Sequence, residues 1–169
     1  MDIGVDEMTR RRRGNEMTPQ VRHREFRFPV TVAWDGGRRT TARVEGKPAV
    51  EIATPPVFRG TDPGMWSPED TFVAAAASCL AVTIAGLAER EHLPLRDLSI
   101  KAEGVVGRRP DGAFGFVLIE QAVEIETDPG HEEAVRALVT KAEEGCLVAV
   151  SLDLPVETTV RVRVPLTAS

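Results

Sequence analysis

Residues 67–91, SPEDTFVAAAASCLAVTIAGLAERE, form the most clearly patterned segment of this chain. Ser67 is a suitable N-cap, Pro68 fits the first helical position, and Asp70, three residues after the cap, can complete a capping box. Pro94 lies just beyond the stretch, where it cannot continue a helical hydrogen-bond ladder. The pattern therefore predicts one helix over these residues, the longest element of the chain.

Residues 71–88 carry no charge, so their length alone is close to a membrane span of about 20 apolar residues. The run is rich in Ala, Ser, Thr and Gly, and Asp70 and Glu89 bracket it without a basic bias on either side. A central core helix fits this composition better. A single chain of 169 residues has few elements with which to enclose such a helix. We therefore expect a second subunit to cover part of it, in a two-fold dimer.

The remaining sequence alternates strand patterns with turn signals. Strands are predicted at residues 28–34, 40–44, 49–53, 98–107, 114–126 and 156–164. A second helix is predicted from a cap at Asp128-Pro129 to Gly145, because its apolar residues recur at helical spacing. Residues 147–152 fit either a short helix or a strand. The order indicates an α+β fold with antiparallel sheets and segregated helices, in one domain over residues 21–169.

Composition limits the possible partners and location. The chain is 42% hydrophobic and 28% charged, as in ordinary globular proteins, and its net charge of −5 argues against nucleic-acid binding. Residues 1–20 contain the basic run Arg10–Arg13 but almost no apolar periodicity, so we expect a disordered leader. No apolar stretch follows the basic run as in a signal peptide. We expect a cytoplasmic protein that neither spans nor binds a membrane.

The chain has two cysteines, and both occupy positions that are well defined relative to the predicted helices. Cys79 lies within the long helix, and Cys146 directly follows Gly145, where the second helix should stop. Two free cysteines are often only small buried hydrophobes. Here Cys146 is expected to begin a helical turn whose amides would stabilise a thiolate. A permanent disulfide is less favoured, because stable disulfides are uncommon in a reducing compartment.

Two other kinds of chemistry find little support. The histidines are His23, His92 and His131, and none is spaced with a cysteine as a zinc site requires. The sequence also lacks a Gly-x-Ser-x-Gly elbow, the usual signature of a serine hydrolase. The cysteine pair is therefore the leading candidate site.

Two motifs together resemble the OsmC/Ohr family, named for osmotically inducible protein C and organic hydroperoxide resistance. The first is residues 67–79, in which Pro68-Glu69 leads through an alanine run to Cys79. The second is KAEEGC, residues 141–146, ahead of a valine-rich terminal strand. The resemblance covers roughly residues 28–164. It implies an OsmC-like fold, an intertwined homodimer and a thiol peroxidase for organic hydroperoxides, with an external dithiol reductant and no metal or organic cofactor.

The resemblance also implies roles for individual residues. Cys79 would be the peroxidatic thiolate and would pass through a sulfenic acid, and Cys146 would resolve it as a disulfide. Glu69 and an arginine from the N-terminal strands would form an ion pair beside the reactive sulfur. By its position after the first turn that arginine is Arg39. The other candidates are Arg38, Arg43 and Arg59.

Helix geometry constrains this assignment. If Glu69 and Cys79 lie on one unbroken helix, ten residues separate them by about 15 Å along its axis. Either the helix begins later than its cap indicates, or a dimer partner supplies Glu69 to the neighbouring Cys79. The second alternative would make the dimer obligatory for activity.

The chain also departs from the family pattern. The second motif usually reads Cys-Pro, whereas this chain has Cys146-Leu147, which leaves the local rigidity around the resolving sulfur open. An alternative function is therefore a non-catalytic OsmC-like dimer that binds a small apolar ligand at its interface. A structural protein stapled by a Cys79-Cys146 bridge is the third and least favoured possibility.

Overall fold

The computed structural model describes residues 25–165, so the predicted leader at residues 1–20 lies outside the described residues. The described chain forms two three-stranded sheets and three α-helices. In chain order the elements are β1 (Thr31–Gly36), β2 (Arg39–Arg43), β3 (Val50–Ala53), a 3-10 turn (Pro56–Phe58), α1 (Pro68–Glu91), β4 (Leu95–Arg108), β5 (Phe114–Thr127), α2 (Glu132–Gly145), α3 (Leu147–Val150) and β6 (Val156–Arg163).

The long helix forms as predicted. The Asp70 amide donates to Ser67 Oγ at 3.0 Å, and the Ser67 amide donates to Asp70 Oδ2 at 2.8 Å, which is a complete capping box. Pro68 occupies the first turn, where its missing N–H costs nothing. The helix ends at His92, whose left-handed φ of 55° turns the chain away. Local signals at both ends therefore set its bounds.

The first sheet, in the order β1-β2-β3, is antiparallel throughout. Gly36 and Gly37 join β1 to β2 with φ values of 100° and 56°, a backbone region that favours glycine. The first strand begins at Thr31 and not at the predicted Phe28. This sheet lies before α1 in the chain. Arg39 and Arg43 lie on β2, Arg38 lies in the turn before β2, and Arg59 follows the 3-10 turn.

The second sheet, in the order β4-β5-β6, corrects the prediction of purely antiparallel pairing. β4 and β5 form the expected antiparallel hairpin, with β4 beginning at Leu95, three residues before the predicted start at residue 98. β6 instead runs parallel to β5, with Ile119 opposite Val156. The intervening helices carry the chain back to the end of the sheet where β5 began, so the next strand must run in the same direction.

α2 begins later than its sequence predicts. Its N-cap is His131, not Asp128, and the His131 side chain makes no capping hydrogen bond. The Asp128 carboxylate is taken by Arg96 of β4, whose Nε donates to Oδ1 at 2.7 Å. The hydrogen bond from Arg96 is the main cause that lowers the pKa of the Asp128 carboxyl. A side chain committed to a tertiary contact is not free to cap a helix. The ambiguous segment after Cys146 is the short helix α3.

The core lies between α1, α2 and the second sheet. The fully buried side chains of α1 recur every four residues along one side of the helix. The main cluster joins Leu80, Ile84 and Ala88 of α1, Val123 and Ile125 of β5, Val135, Leu138, Val139 and Ala142 of α2, and Cys146. Each of these elements contributes one apolar face, so a single core fixes how the helices sit on the sheet.

The N-terminal half of α1 approaches β4 closely. A Cβ at Gly104 would lie 2.5 Å from Val73 Cγ2 and 2.6 Å from Phe116 Cε1, so only glycine fits there. Phe72 and Phe116 stack beside it with ring centroids 4.6 Å apart. This contact fixes the helix end that carries Glu69.

The opposite side of α1 is not covered within the chain. Only 22% of the most apolar 18-residue stretch of α1 is buried. The exposed residues of the helix include Ala75, Ser78, Val82 and Ala85. By length and apolar composition α1 is the one helix in residues 25–165 that could cross a membrane. The single chain therefore covers one side of this helix and leaves an apolar side open.

We predict that Ser67→Ala lowers the free energy of unfolding by about 1 kcal/mol, because the amides of the first turn of α1 lose their side-chain acceptor. Urea unfolding at fixed protein concentration measures the change. Ser78→Ala is the matched control, since Ser78 is exposed on the same helix and its hydroxyl bonds only to the Ala75 carbonyl, at 3.3 Å. Equal stabilities for the two variants would contradict the role of the cap.

Candidate functional site

The two cysteines are neighbours at the junction of the three helices. Cys79 of α1 is partly exposed, whereas Cys146, between α2 and α3, is fully buried, and both are free thiols. Cys79 packs against the core cluster that contains Cys146, and the nearby Cys79 side chain helps to raise the pKa of the Cys146 thiol. The fold thus brings together two sulfurs that lie far apart in sequence.

The environment of Cys146 corrects the expectation of a stabilised thiolate. Burial raises the pKa of the Cys146 thiol above its ordinary value of 9.0, because a buried thiolate loses its hydration. The backbone amides of Ala149 and Val148 act in the opposite direction, and the neighbouring Cys79 side chain raises the pKa further. Burial outweighs the amides, so Cys146 rests as a neutral thiol.

Local backbone structure holds the two sulfurs in place. Cys146 is at once the C-cap of α2 and the N-cap of α3: its amide donates to the Glu143 carbonyl at 3.4 Å, and its carbonyl accepts from the Val150 amide at 3.0 Å. The Cys79 carbonyl accepts a hydrogen bond from Thr83 Oγ1 at 2.7 Å. The turn after Cys146 is helical although Leu147, 73% exposed, replaces the usual proline.

Glu69 does not lie beside Cys79 in the same chain. α1 is unbroken from Pro68 to Glu91, so the two residues are about 15 Å apart along the axis, and the alternative of a later helix start is excluded. Glu69 Oε2 is buried and has no hydrogen-bond partner. It lines an open groove of about 890 Å³ between α1 and β4, together with Trp66 and Ser78. The Glu69 carboxylate therefore lies at this groove, and its buried oxygen has no hydrogen-bond partner.

The candidate arginines occupy different places. Arg39 forms a two-bond ion pair with Asp62, in which its Nε donates to Oδ2 at 3.0 Å. The Arg39 hydrogen bond holds the pKa of the Asp62 carboxyl below its usual range. Arg38 Nη1 donates to the Phe58 carbonyl at 2.7 Å. Arg43 is exposed and lines a second groove, of about 830 Å³, that reaches Ser78 on the uncovered side of α1.

The histidines in the described chain sit at helix ends. His92 ends α1 and His131 begins α2, while His23 lies outside the described residues. Within residues 25–165, no three side chains of His, Cys, Asp or Glu come together as a possible metal site.

A third cavity, of about 230 Å³, adjoins Cys146, and its wall includes Gln121, which is not among the residues predicted from the sequence. Gln121 lies at an inward position of β5, between the buried Ile119 and Val123, and is 2% exposed. Its Nε2 and Oε1 have no hydrogen-bond partner. The signal was present in the sequence, since a glutamine at an inward position of an otherwise apolar strand is unusual.

A family model described as OsmC-like protein matches residues 60–161. The chain belongs to the OsmC-like family. The matched region runs from the loop before α1 to β6 and so includes both cysteines and Glu69. The resemblance seen in the sequence is confirmed, as is the α+β fold with a long helix.

Individual relatives define the extent of the likeness. The uncharacterized protein YmaD of Bacillus subtilis is 27% identical over 138 residues, which are 79% of this chain and 91% of that protein. An OsmC-like protein of unknown function from Vibrio cholerae has a TM-score of 0.75 at 17% identity, covering 81% of this chain and all of that one (100%). An organic hydroperoxide resistance protein from Elizabethkingia anophelis has a TM-score of 0.67 at 19% identity, covering 84% and 99%. At these identities the solved structures establish the fold.

We predict that iodoacetamide alkylates Cys79 well before Cys146 in the native, reduced protein. Only the thiolate reacts, and burial both raises the pKa of Cys146 and shields its sulfur. Mass spectrometry of peptides containing each cysteine, sampled over time from neutral to alkaline pH, measures the two rates. The urea-unfolded protein is the control, in which both should react alike. Equal rates in the native protein at neutral pH would contradict the assigned environments.

Proposed function

We propose that this chain is a cysteine-based thiol peroxidase that reduces organic hydroperoxides. One observation carries the proposal: a partly exposed free thiol, Cys79, packs against the core cluster that contains a buried free thiol, Cys146. An accessible sulfur can meet a peroxide, and a buried neighbour can then close a disulfide without a large movement. Membership of a family that includes organic hydroperoxide resistance proteins supports this chemistry.

In the first step the Cys79 thiolate attacks the distal oxygen of the hydroperoxide. A sulfur–oxygen bond forms, the oxygen–oxygen bond breaks, and the alkoxide takes up a proton and leaves as the alcohol. Cys79 is thereby oxidised to a sulfenic acid while the peroxide is reduced. The apolar surface of α1 next to Cys79, which includes Val82 and Ala75, suits a hydroperoxide with an apolar tail.

In the second step the Cys146 sulfur attacks the Cys79 sulfur. A sulfur–sulfur bond forms, the sulfur–oxygen bond breaks, and the hydroxyl group leaves as water with the proton of Cys146. An external dithiol, which we propose to be of the lipoyl type, then reduces the disulfide by two thiol exchanges. Such a cycle suits the reducing cytoplasm, where the reduced form is restored after each turnover.

We further propose that the protein works as a homodimer in which Glu69 of one subunit serves Cys79 of the other. The uncovered apolar side of α1 and the buried, unpaired Glu69 Oε2 support this arrangement. An arginine of the first sheet, with Arg39 as the first choice, would bridge the carboxylate and the sulfur. A guanidinium stabilises a thiolate and polarises a peroxide. Arg39 would exchange or share its present partner, Asp62.

Stopped-flow mixing of the reduced protein with cumene hydroperoxide tests the activity. We predict rapid oxidation of the wild type, no reaction for Cys79→Ser, and a sulfenic acid that persists after a single turnover for Cys146→Ser. Trapping with dimedone followed by mass spectrometry identifies that intermediate. If the wild type shows no peroxide consumption with any dithiol, the peroxidase proposal fails and a dimer that binds a small apolar ligand becomes the better explanation.

Arginine variants in the same assay provide a matched comparison. Arg39→Ala should slow the oxidation of Cys79 at least about tenfold, because a charged hydrogen bond to the thiolate is lost. Arg43→Ala, which removes an exposed arginine at the other end of β2, serves as the control. A greater loss in Arg43→Ala than in Arg39→Ala would transfer the role to Arg43, which lines the groove next to Ser78.

A further inference from the structure

The Gln121 carboxamide is the most unusual buried polar group near the cysteines. Both of its polar atoms are buried without a hydrogen-bond partner, and the residue is only 2% exposed. Leaving such a group unpaired is destabilising relative to a satisfied one. An apolar residue of similar size would avoid that cost, so the carboxamide needs an explanation beyond packing.

The surroundings of Gln121 indicate what it serves. It lines the cavity of about 230 Å³ together with Cys146, Glu143 and Thr158, while the rest of the wall is apolar. Thr158 lies opposite Gln121 in the β5–β6 register. The Gln121 amide is therefore a donor without a partner in the same cavity as the buried thiol.

Cys146 needs a donor only during resolution. At rest its thiol is neutral, and burial raises its pKa. To attack the oxidised Cys79 it must become a thiolate, which at this buried position has the backbone amides of Ala149 and Val148 as donors. The titratable groups nearest to it are Cys79 of α1 and Glu143 of α2, and β5 and β6 contribute the uncharged Gln121, Val156 and Thr158 to the cavity wall. Because burial disfavours the thiolate, an additional neutral donor in this cavity would stabilise it.

We propose that Gln121 is a positioning residue for disulfide formation, in which its Nε2 donates to the Cys146 sulfur as that sulfur becomes a thiolate and attacks Cys79. The inference rests on the proposed pairing of Cys79 with Cys146 and deepens it. The proton of Cys146 leaves with the departing group of Cys79, and Gln121 is neither oxidised nor protonated. Its contribution is a charge-assisted hydrogen bond that exists only while Cys146 carries negative charge.

The test replaces the peroxide with a chromogenic disulfide, dithiobis-nitrobenzoate. The Cys79 thiolate first attacks this reagent and releases one thionitrobenzoate, leaving a mixed disulfide on Cys79. Cys146 then attacks the Cys79 sulfur, forms the Cys79–Cys146 disulfide and releases a second thionitrobenzoate. The second absorbance phase reports the attack by Cys146 without any peroxidase activity. If the protein does not reduce cumene hydroperoxide but still shows this second phase, the proposed peroxidase function is wrong, and the role of Gln121 in disulfide formation is still open to the test below.

We expect Gln121→Met to leave the first phase unchanged and to slow the second about tenfold or more at neutral pH, since the lost bond is to a charged atom. The pH midpoint of the second phase should rise, because the thiolate loses a donor. The variant should also be at least as stable to urea as the wild type. Thr158→Val, from the same cavity wall, is the control and should keep the wild-type midpoint.

Other results would overturn the inference. These are an unchanged second phase in Gln121→Met, a slowing without any shift of the pH midpoint, and the absence of a second phase in the wild type. Gln121→Asn provides a second variant if Gln121→Met does not fold. It keeps the carboxamide but withdraws it by one methylene, so a midpoint between those of the wild type and a variant without a donor is expected. A wild-type midpoint and rate in Gln121→Asn would also count against the inference.

Discussion

The packing of α1 on one side only governs how the core and the candidate site are arranged. One side of the helix, with Leu80 and Ile84 at its centre, packs on α2 and the second sheet, whereas the opposite side remains open and apolar. The same helix carries Glu69 in its first turn and Cys79 near its middle. A rigid, unbroken helix holds these two groups apart in one chain, so in the proposed site Glu69 has to come from a second subunit.

The two cysteines differ because their surroundings differ. Cys79 faces partly outward and is open to a reagent, while Cys146 is enclosed where α2 ends and α3 begins. Burial favours the neutral form of Cys146, so in the proposed cycle this thiol stays unreactive until Cys79 is oxidised. The proposed role of Gln121 accounts for its unpaired carboxamide in the adjacent cavity, since a donor that costs stability at rest can stabilise a charge that appears only in the reaction.

Much of the fold could be predicted from local sequence signals, and the errors concern contacts between distant residues. The capping box at Ser67 and the stop near Pro94 defined α1, because their effects act within a few residues. The parallel pairing of β6 and the delayed start of α2 depend on the path of the crossover and on the Arg96–Asp128 pair, which no local pattern reveals. The candidate site shows the same division between local and long-range signals. The sequence motifs identify Glu69, Cys79 and Cys146 as candidates, whereas the burial of Cys146 and the cavity beside Gln121 arise only when β5, α1 and α2 come together.

We propose a site that two subunits complete together, and complementation between two inactive variants tests this arrangement. Glu69→Gln and Cys79→Ser subunits, each inactive alone, are mixed and reassembled, and the oxidation of cumene hydroperoxide with a dithiol is measured. If Glu69 acts across the interface, each mixed dimer has one complete site, and random mixing should restore about a quarter of the wild-type activity. Light scattering confirms that the mixture is dimeric. No recovery of activity in a dimeric mixture would contradict a site shared between subunits.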